Sequence, residues 1–316
     1  MTPQTGSRAA AWTAEKERSS LWMLRLMRGF AMTAGRPLSR LLLHPITLYF
    51  MLTGGRARRE SARYLGRVFG RPARFHEVYR HIHCFAATIL DRVYLLQERY
   101  ADFELKPNGV EAMDEPLARG EGVLMIGAHM GSFESLRALG LGRGVRVAMI
   151  MYEDNARLIN ATLAALAPKA NLHTIALGRV DAMLSLRHWL DSGGIAGLLG
   201  DRTLPFSSQR SHNHVLPFLG APAQFSDGPF RLAAMLRRPV IFMAGLYHGA
   251  NRYELRFMPL ADFSQANGTN RDRLIDEAMQ RYVATLEQLC REAPYNWFNF
   301  FDFWNTDAPR QPADVT

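Results

Sequence analysis

Lysine is nearly absent from this chain of 316 residues: only Lys16, Lys106 and Lys169 occur, so almost all of its positive charge is arginine. Cysteine is as scarce. Cys84 and Cys290 show no metal or redox spacing, which sets aside a disulfide framework and a zinc module and leaves two reduced thiols as the expectation. No apolar run reaches the roughly 20 residues of a confident membrane-spanning helix. The first twenty residues are polar and hold no apolar stretch ending in a small-residue cleavage site, so no secretion signal is expected. A Gly-x-Ser-x-Gly turn is missing, which removes the nucleophile elbow of a serine hydrolase. Paired Cys/His fingers and RNP-like aromatics are missing too, so nucleic acid is not an expected partner. There is no internal repeat and no low-complexity tract.

What remains is the composition of a folded, basic protein. Hydrophobic residues make up 48%, enough to build a core, and the formal net charge is +9. A basic surface suits an anionic partner such as membrane phospholipid or an acidic carrier protein.

The chain divides into a polar lead (1–20), a helical, membrane-associating arm (21–100), an α/β domain (101–306) and a tail (307–316). In the arm, residues 21–34 form an amphipathic stretch with Arg25 and Arg28 among the apolar residues. Gly35, Arg36 and Pro37 break it. Residues 41–53 follow as a second apolar piece, with a kink expected at His44 and Pro45. The expectation is a membrane-facing helical hairpin that dips into one leaflet. Arg56, Arg58, Arg59, Arg63, Arg67, Arg71 and Arg74 come next, as arginines beside an apolar segment do at anionic lipid. Residues 75–100 carry apolar side chains at helical spacing. His76, His81 and His83 lie on or near that helix without carboxylate or cysteine partners at ligand spacing, so no metal is expected.

From residue 103 onward short apolar runs alternate with helical periods. Strands are expected at 103–105, 109–112, 123–126, 145–151, 172–176, 195–199, 240–247 and 253–258. Helices are expected at 133–139, 156–167, 181–190, 228–236 and 271–292. This alternation implies an α/β fold with a mostly parallel sheet flanked by helices. Residues 207–214 read as a polar loop over the site.

One stretch, GVLMIGAHMGSFE at 122–134, concentrates the chemistry. An apolar strand ends at His129, turns on Gly131, and enters a helix capped by Ser132 with Glu134 in its first turn. His129 thus sits at the carboxyl end of a strand, where α/β sheets place ligands. Glu134 is near enough in sequence to fold back on the imidazole, which would make a base able to take a proton from a hydroxyl. The bland alternative is a histidine that merely ends a strand.

Further along, Gly200, Asp201 and Arg202 again place an acid and a cation at a strand end, and Arg202 could hold an anion bidentately. The run VLPFLG at 215–220 contains Phe218 and Gly220, and by physics alone is an apolar loop with a turn. Pro239 starts a strand, and residues 294–304 are dense in aromatics. Their plainest role is packing, with a membrane interface as the alternative.

The segment at 122–134 resembles the first block of the glycerolipid acyltransferase superfamily, and most of all the LpxL/HtrB-type lipid A biosynthesis acyltransferases. The later blocks fall in that family's order over roughly residues 105–305. In the family the strand matching 195–199 ends in an Asp-Gln pair; here Arg202 stands in place of the Gln, which leaves the acceptor open. The resemblance implies an acyltransferase in which His129 is the general base and Glu134 its orienting acid. Gly131, Ser132, Asn155, Arg157, Asp201, Arg202, Phe218 and Gly220 become candidates for substrate binding or oxyanion stabilisation. It also implies acyl-carrier protein or coenzyme A as the thioester co-substrate, no cofactor or metal, and a lipid A-like acceptor at the cytoplasmic face of the bacterial inner membrane. The alternatives are transfer to another lipid (a lysophospholipid, an amino-acid lipid or a polyene), or a non-catalytic basic lipid-binding protein. Oligomeric state is not legible.

Overall fold

A computed structural model describes residues 6–152, 173–178, 180–202 and 213–304, with side chains from residue 28 onward apart from those of 152 and 180. Asn155, Arg157, the helix expected at 156–167 and most of the expected loop at 207–214 lie outside the described residues.

The centre is strand β2 (Leu124–Gly131). Its apolar side chains suit a strand covered on both faces, and both neighbours, β5 (Ile195–Leu199) and β8 (Pro239–Tyr247), run parallel to it. The seven-stranded sheet has the order β1-β9-β8-β2-β5-β3-β4, with β1 at Glu104–Asn108, β3 at Val147–Tyr152, β4 at His173–Leu177 and β9 at Arg252–Asp262. All pairings are parallel except β8 with β9. The α/β class with a mostly parallel sheet is therefore as expected. Because β2 lies between strands reached by crossovers to either side, its carboxyl end is a topological switch point, where open sheets form ligand crevices.

Alternation along β2 separates two cores. Leu124, Ile126 and Ala128 face α2 (Gly55–Phe69), α7 (Gly228–Leu236) and α8 (Arg271–Glu292), through residues such as Tyr64, Phe230 and Tyr282. The same core includes Leu186 and Leu190 of α6 (Val180–Asp191). Val123 and Met125 face the opposite way, toward α3 (Phe75–Leu95), α4 (Glu111–Ala118) and α5 (Phe133–Gly142).

The arm departs from the expected hairpin. Helix α1 (Gly6–Thr53) is interrupted at Gly35, whose φ of 77° is a conformation that glycine adopts without a Cβ penalty. The break is where the sequence places it, and Pro45 is carried within the helix. The partner of α1 is α3. Tyr94 donates to the Ala31 carbonyl at 2.7 Å, Arg36 makes a bidentate pair with Asp91 at 2.9 and 3.0 Å, and His44 Nδ1 meets the Tyr79 hydroxyl at 2.8 Å. The rising numbers on one helix against the falling numbers on the other make the packing antiparallel. Asp91 is fully buried and also accepts from Tyr253 of β9 at 2.9 Å, so an ion pair couples the arm to the sheet. Arg40 adds a contact to the Tyr247 hydroxyl. The far side of α1 is bare: Leu41, Tyr49 and Leu52 are more than 60% exposed. Among the described residues no helix is long and apolar enough to cross a membrane.

Three local expectations are corrected. Residues 109–112 turn at Gly109, with φ 77°, and start α4 instead of a strand. The helix expected to reach residue 100 ends at Leu95, and Glu98 takes a positive φ in the turn that follows. The loop at 215–220 is one strand of a hairpin: β6 (Asn213–Phe218) and β7 (Ala221–Ser226) pair antiparallel around Leu219 and Gly220, both at positive φ. Two consecutive residues with that sign are what a tight hairpin turn needs.

Candidate active site

Parallel pairing brings the ends of β2 and β5 together. Leu124 faces Ala196 and Gly127 faces Leu199, and two residues beyond the last pair come His129 and Asp201. His129 Nδ1 lies 2.8 Å from Asp201 Oδ1, and the His129 backbone N–H donates to Asp201 Oδ2 at 3.0 Å. Trp297 Nε1–H donates to the same Oδ2 at 3.0 Å. Asp201 is 2% exposed. Burial alone would raise its carboxyl, but the adjoining imidazole, its hydrogen bonds and the charge of Arg202 outweigh this and hold it well below the usual carboxylate range. An ionised Asp201 can only accept, so Nδ1 carries the ring proton of neutral His129 and the lone pair is on Nε2. Nε2 has no hydrogen-bond partner among the described residues, and the side chain is 30% exposed. A basic nitrogen therefore faces the crevice, with its tautomer fixed from behind.

Glu134 is not the carboxylate on this imidazole. Its Oε1 pairs with Arg92 Nε of α3 at 2.8 Å, and its Oε2 accepts from the Ser132 hydroxyl at 3.3 Å. Position in the first turn of α5 turns the side chain toward α3, while the strand-end geometry delivers Asp201. A carboxylate there also complements the helix N-terminus.

Three backbone donors near the turn are already committed. Besides the His129 N–H on Asp201, the Gly131 N–H donates to the Asn296 carbonyl at 2.9 Å and the Ser132 N–H to the Gly245 carbonyl at 2.9 Å. Gly131 and Ser132 thus shape the turn and do not offer these N–H groups to an oxyanion. A Cβ on Gly131 would sit 1.8 Å from the Gly245 carbonyl oxygen, so only glycine fits. Ser132 caps α5, its hydroxyl accepting from the Ser135 N–H at 3.3 Å.

Phe218 is fully buried against the Trp297 ring, with centroids 5.3 Å apart, and Gly220 lies in the hairpin turn. Neither faces the crevice through a free polar group. Arg202 is exposed, with its guanidinium 5.2 Å over the Phe301 ring.

Trp297 and Asn296 were not legible as site residues in the sequence. The segment they belong to crosses the ends of β2 and β8: Met130 bridges Trp297, the Phe298 N–H donates to the His129 carbonyl at 2.8 Å, and the Asn296 amide spans the backbone of Tyr247 with bonds of 2.7 and 3.1 Å. The only hint was a buried indole, which needs an acceptor for its N–H.

Between α4, α5 and the sheet lies an apolar cleft, lined by Met113, Phe133, Leu136, Gly197 and Met243 among others. Phe133 is the first residue of α5, directly after the turn that follows His129, so the cleft lies close in sequence to that turn, although His129 and Asp201 do not line it. Among the described residues no cluster of His, Cys, Asp or Glu has metal-binding geometry.

Comparison with curated proteins finds no match. A family model described as bacterial lipid A biosynthesis acyltransferase matches residues 33–306, and the chain belongs to that family of acyltransferases.

Proposed function

We propose that this protein transfers a fatty acyl group from a thioester to a hydroxyl or amine of a lipid A-like acceptor, with His129 as general base. The observation that carries this reading is the imidazole held at Nδ1 by buried Asp201, with Nε2 open to the crevice. As the acceptor oxygen or nitrogen attacks the thioester carbonyl, Nε2 takes its proton, and Asp201 stabilises the imidazolium that forms. Collapse of the tetrahedral intermediate expels the thiolate, which takes the proton back from Nε2. Arg202, one residue beyond Asp201 and exposed, is the cation proposed to neutralise the oxyanion or an acceptor phosphate. Glu134 then acts through Arg92 on the placement of α5, not on the imidazole. The acyl chain is assigned to the apolar cleft behind Phe133.

The donor is an acyl-carrier protein or acyl-CoA, both anionic and suited to a basic protein. The bare apolar side of α1 and the exposed arginines 56, 58, 59 and 63 of α2 support peripheral or monotopic attachment to the cytoplasmic face of the inner membrane. Arg202, in place of the family's Gln, favours a second reading in which the acceptor is a different anionic lipid. Mass spectrometry of lipids from cells lacking the protein separates the two. Loss of an acylated lipid A species supports the first, loss of another acylated lipid supports the second, and an unchanged lipid profile overturns both.

A further inference from the structure

The buried hydrogen bonds do not stop at Asp201. Trp297, which holds Oδ2 of that carboxylate, is itself held. Its carbonyl accepts from His81 Nε2 at 2.8 Å, and His81 Nδ1 lies 2.8 Å from the Ser61 hydroxyl. Ser61 belongs to α2 and His81 to α3, the two helices that follow α1 of the arm. Both His81 and Ser61 are fully buried. The direction of each bond follows from the inventory of donors: the serine O–H donates to Nδ1, Nε2–H donates to the Trp297 carbonyl, which also accepts from the Asn299 N–H at 2.9 Å, and the indole N–H donates to the carboxylate. The Trp297 ring has no freedom to swing away, because Tyr64, Phe218 and Phe303 meet it edge-on with centroids 4.9–5.3 Å distant.

We propose that Trp297 and His81 are positioning residues for the acyl transfer, through a relay of hydrogen bonds from Ser61 by way of His81, Trp297 and Asp201 to His129. The proposal rests on His129 being the general base. An Asp201 free to rotate would present either oxygen to the imidazole; with Oδ2 held by the Trp297 N–H and the His129 N–H, only Oδ1 is left for Nδ1. The indole also draws negative charge toward Oδ2, away from the imidazole. The other titratable and charged groups that act on Asp201 are Arg202, Tyr282 and Cys290. None of them replaces the indole. Tyr282 donates its hydroxyl to the Gly127 carbonyl at 2.9 Å, Cys290 is a buried thiol, and Arg202 is exposed beside Phe301. A buried hydrogen bond that fixes the partner of a catalytic imidazole sets orientation and basicity together.

The test uses the full chain with W297F and, as the variant that keeps the indole shape, benzothienylalanine at 297, in which sulfur replaces the N–H. Acyl transfer is measured with a thioester donor across pH. The expected result is a fall in kcat of about tenfold or more with KM for both substrates little changed, and an acid limb of the pH profile displaced upward, because the imidazole now meets the full charge of Asp201. H81L should reproduce the fall, and H81Q, which keeps a donor to the Trp297 carbonyl, should recover most of it. If the benzothienyl protein, folded by circular dichroism, retains both kcat and the acid limb, Trp297 is packing alone and the proposal is overturned. H129A in the same assay keeps the outcomes apart. An active H129A removes the base itself, whereas an inactive H129A beside an unaffected benzothienyl protein removes only the relay.

Discussion

His129 and Asp201 are 72 residues apart, the offset at which β2 and β5 pair from Leu124 with Ala196 to Gly127 with Leu199. The contact is therefore a product of sheet register, set by the apolar runs of two strands, and not of a local turn. It predicts which acid serves the imidazole. D201N should lower kcat by about a thousandfold or more, because an amide no longer fixes the tautomer or stabilises the imidazolium. E134Q should leave the acid limb of the pH profile in place and show itself as a lower melting temperature, through the unpaired Arg92. Steady-state kinetics across pH for the two variants checks this, and the reverse ranking would return Glu134 to the imidazole.

The sequence carried the strand ends but not their pairing. The run from Val123 to Ile126 and the one from Ile195 to Leu199 are visible as buried strands, and both end in chemistry-bearing residues. That β2 and β5 are neighbours depends on crossovers elsewhere in the chain, so sequence proximity favoured Glu134 over Asp201. Trp297 was hidden for a similar reason: among so many aromatics at 294–304, nothing local singles out the one whose N–H meets a carboxylate. The hairpin at 213–226 was missed because Pro217 and Pro222 lower the strand signal, although an isolated two-strand ribbon tolerates them.

Buried His81 makes stability depend on pH. Burial, opposed only by the Trp297 carbonyl, depresses the imidazole from its ordinary value of 6.5 to about 4. A proton on Nδ1 would also reverse the bond to Ser61, whose O–H would then lose its acceptor. Because the folded-state value lies below the unfolded one, the stabilisation is fully present above pH 6.5 and is lost as pH falls toward 4. It amounts to about 3 kcal/mol. His83, depressed to about 4 by burial and by His44, acts in the same direction. Urea unfolding at pH 7 and pH 4.5 should show the loss, and H81Q should reduce it.

The arm can be tested without removing it. Deleting residues 1–53 would leave Asp91 buried without Arg36, so loss of function after deletion would not separate docking from folding. Serine at Leu41, Tyr49 and Leu52, all exposed, avoids this. The triple variant should keep its melting temperature and lose at least about tenfold in binding to anionic vesicles. Unchanged vesicle binding would remove the apolar side of α1 from the membrane account.

Chain-length selection should respond to Met243. A Cβ on Gly197 would lie 2.9 Å from Met243 Cε and 3.2 Å from a Phe133 ring carbon, so these side chains meet over the glycine inside the cleft. M243A should deepen the cleft and move preference toward donors longer by about two carbons, at a stability cost of about 2–5 kcal/mol. Competition between thioesters of different length reads the change, and an unaltered preference would place the acyl chain elsewhere.

The role of His129 as general base is tested most directly by the single-turnover rate of acyl transfer by purified H129A, with the protein shown to be folded. A fall of about a thousandfold or more is expected, with the thioester donor still bound. Transfer at the wild-type rate without that imidazole would contradict it.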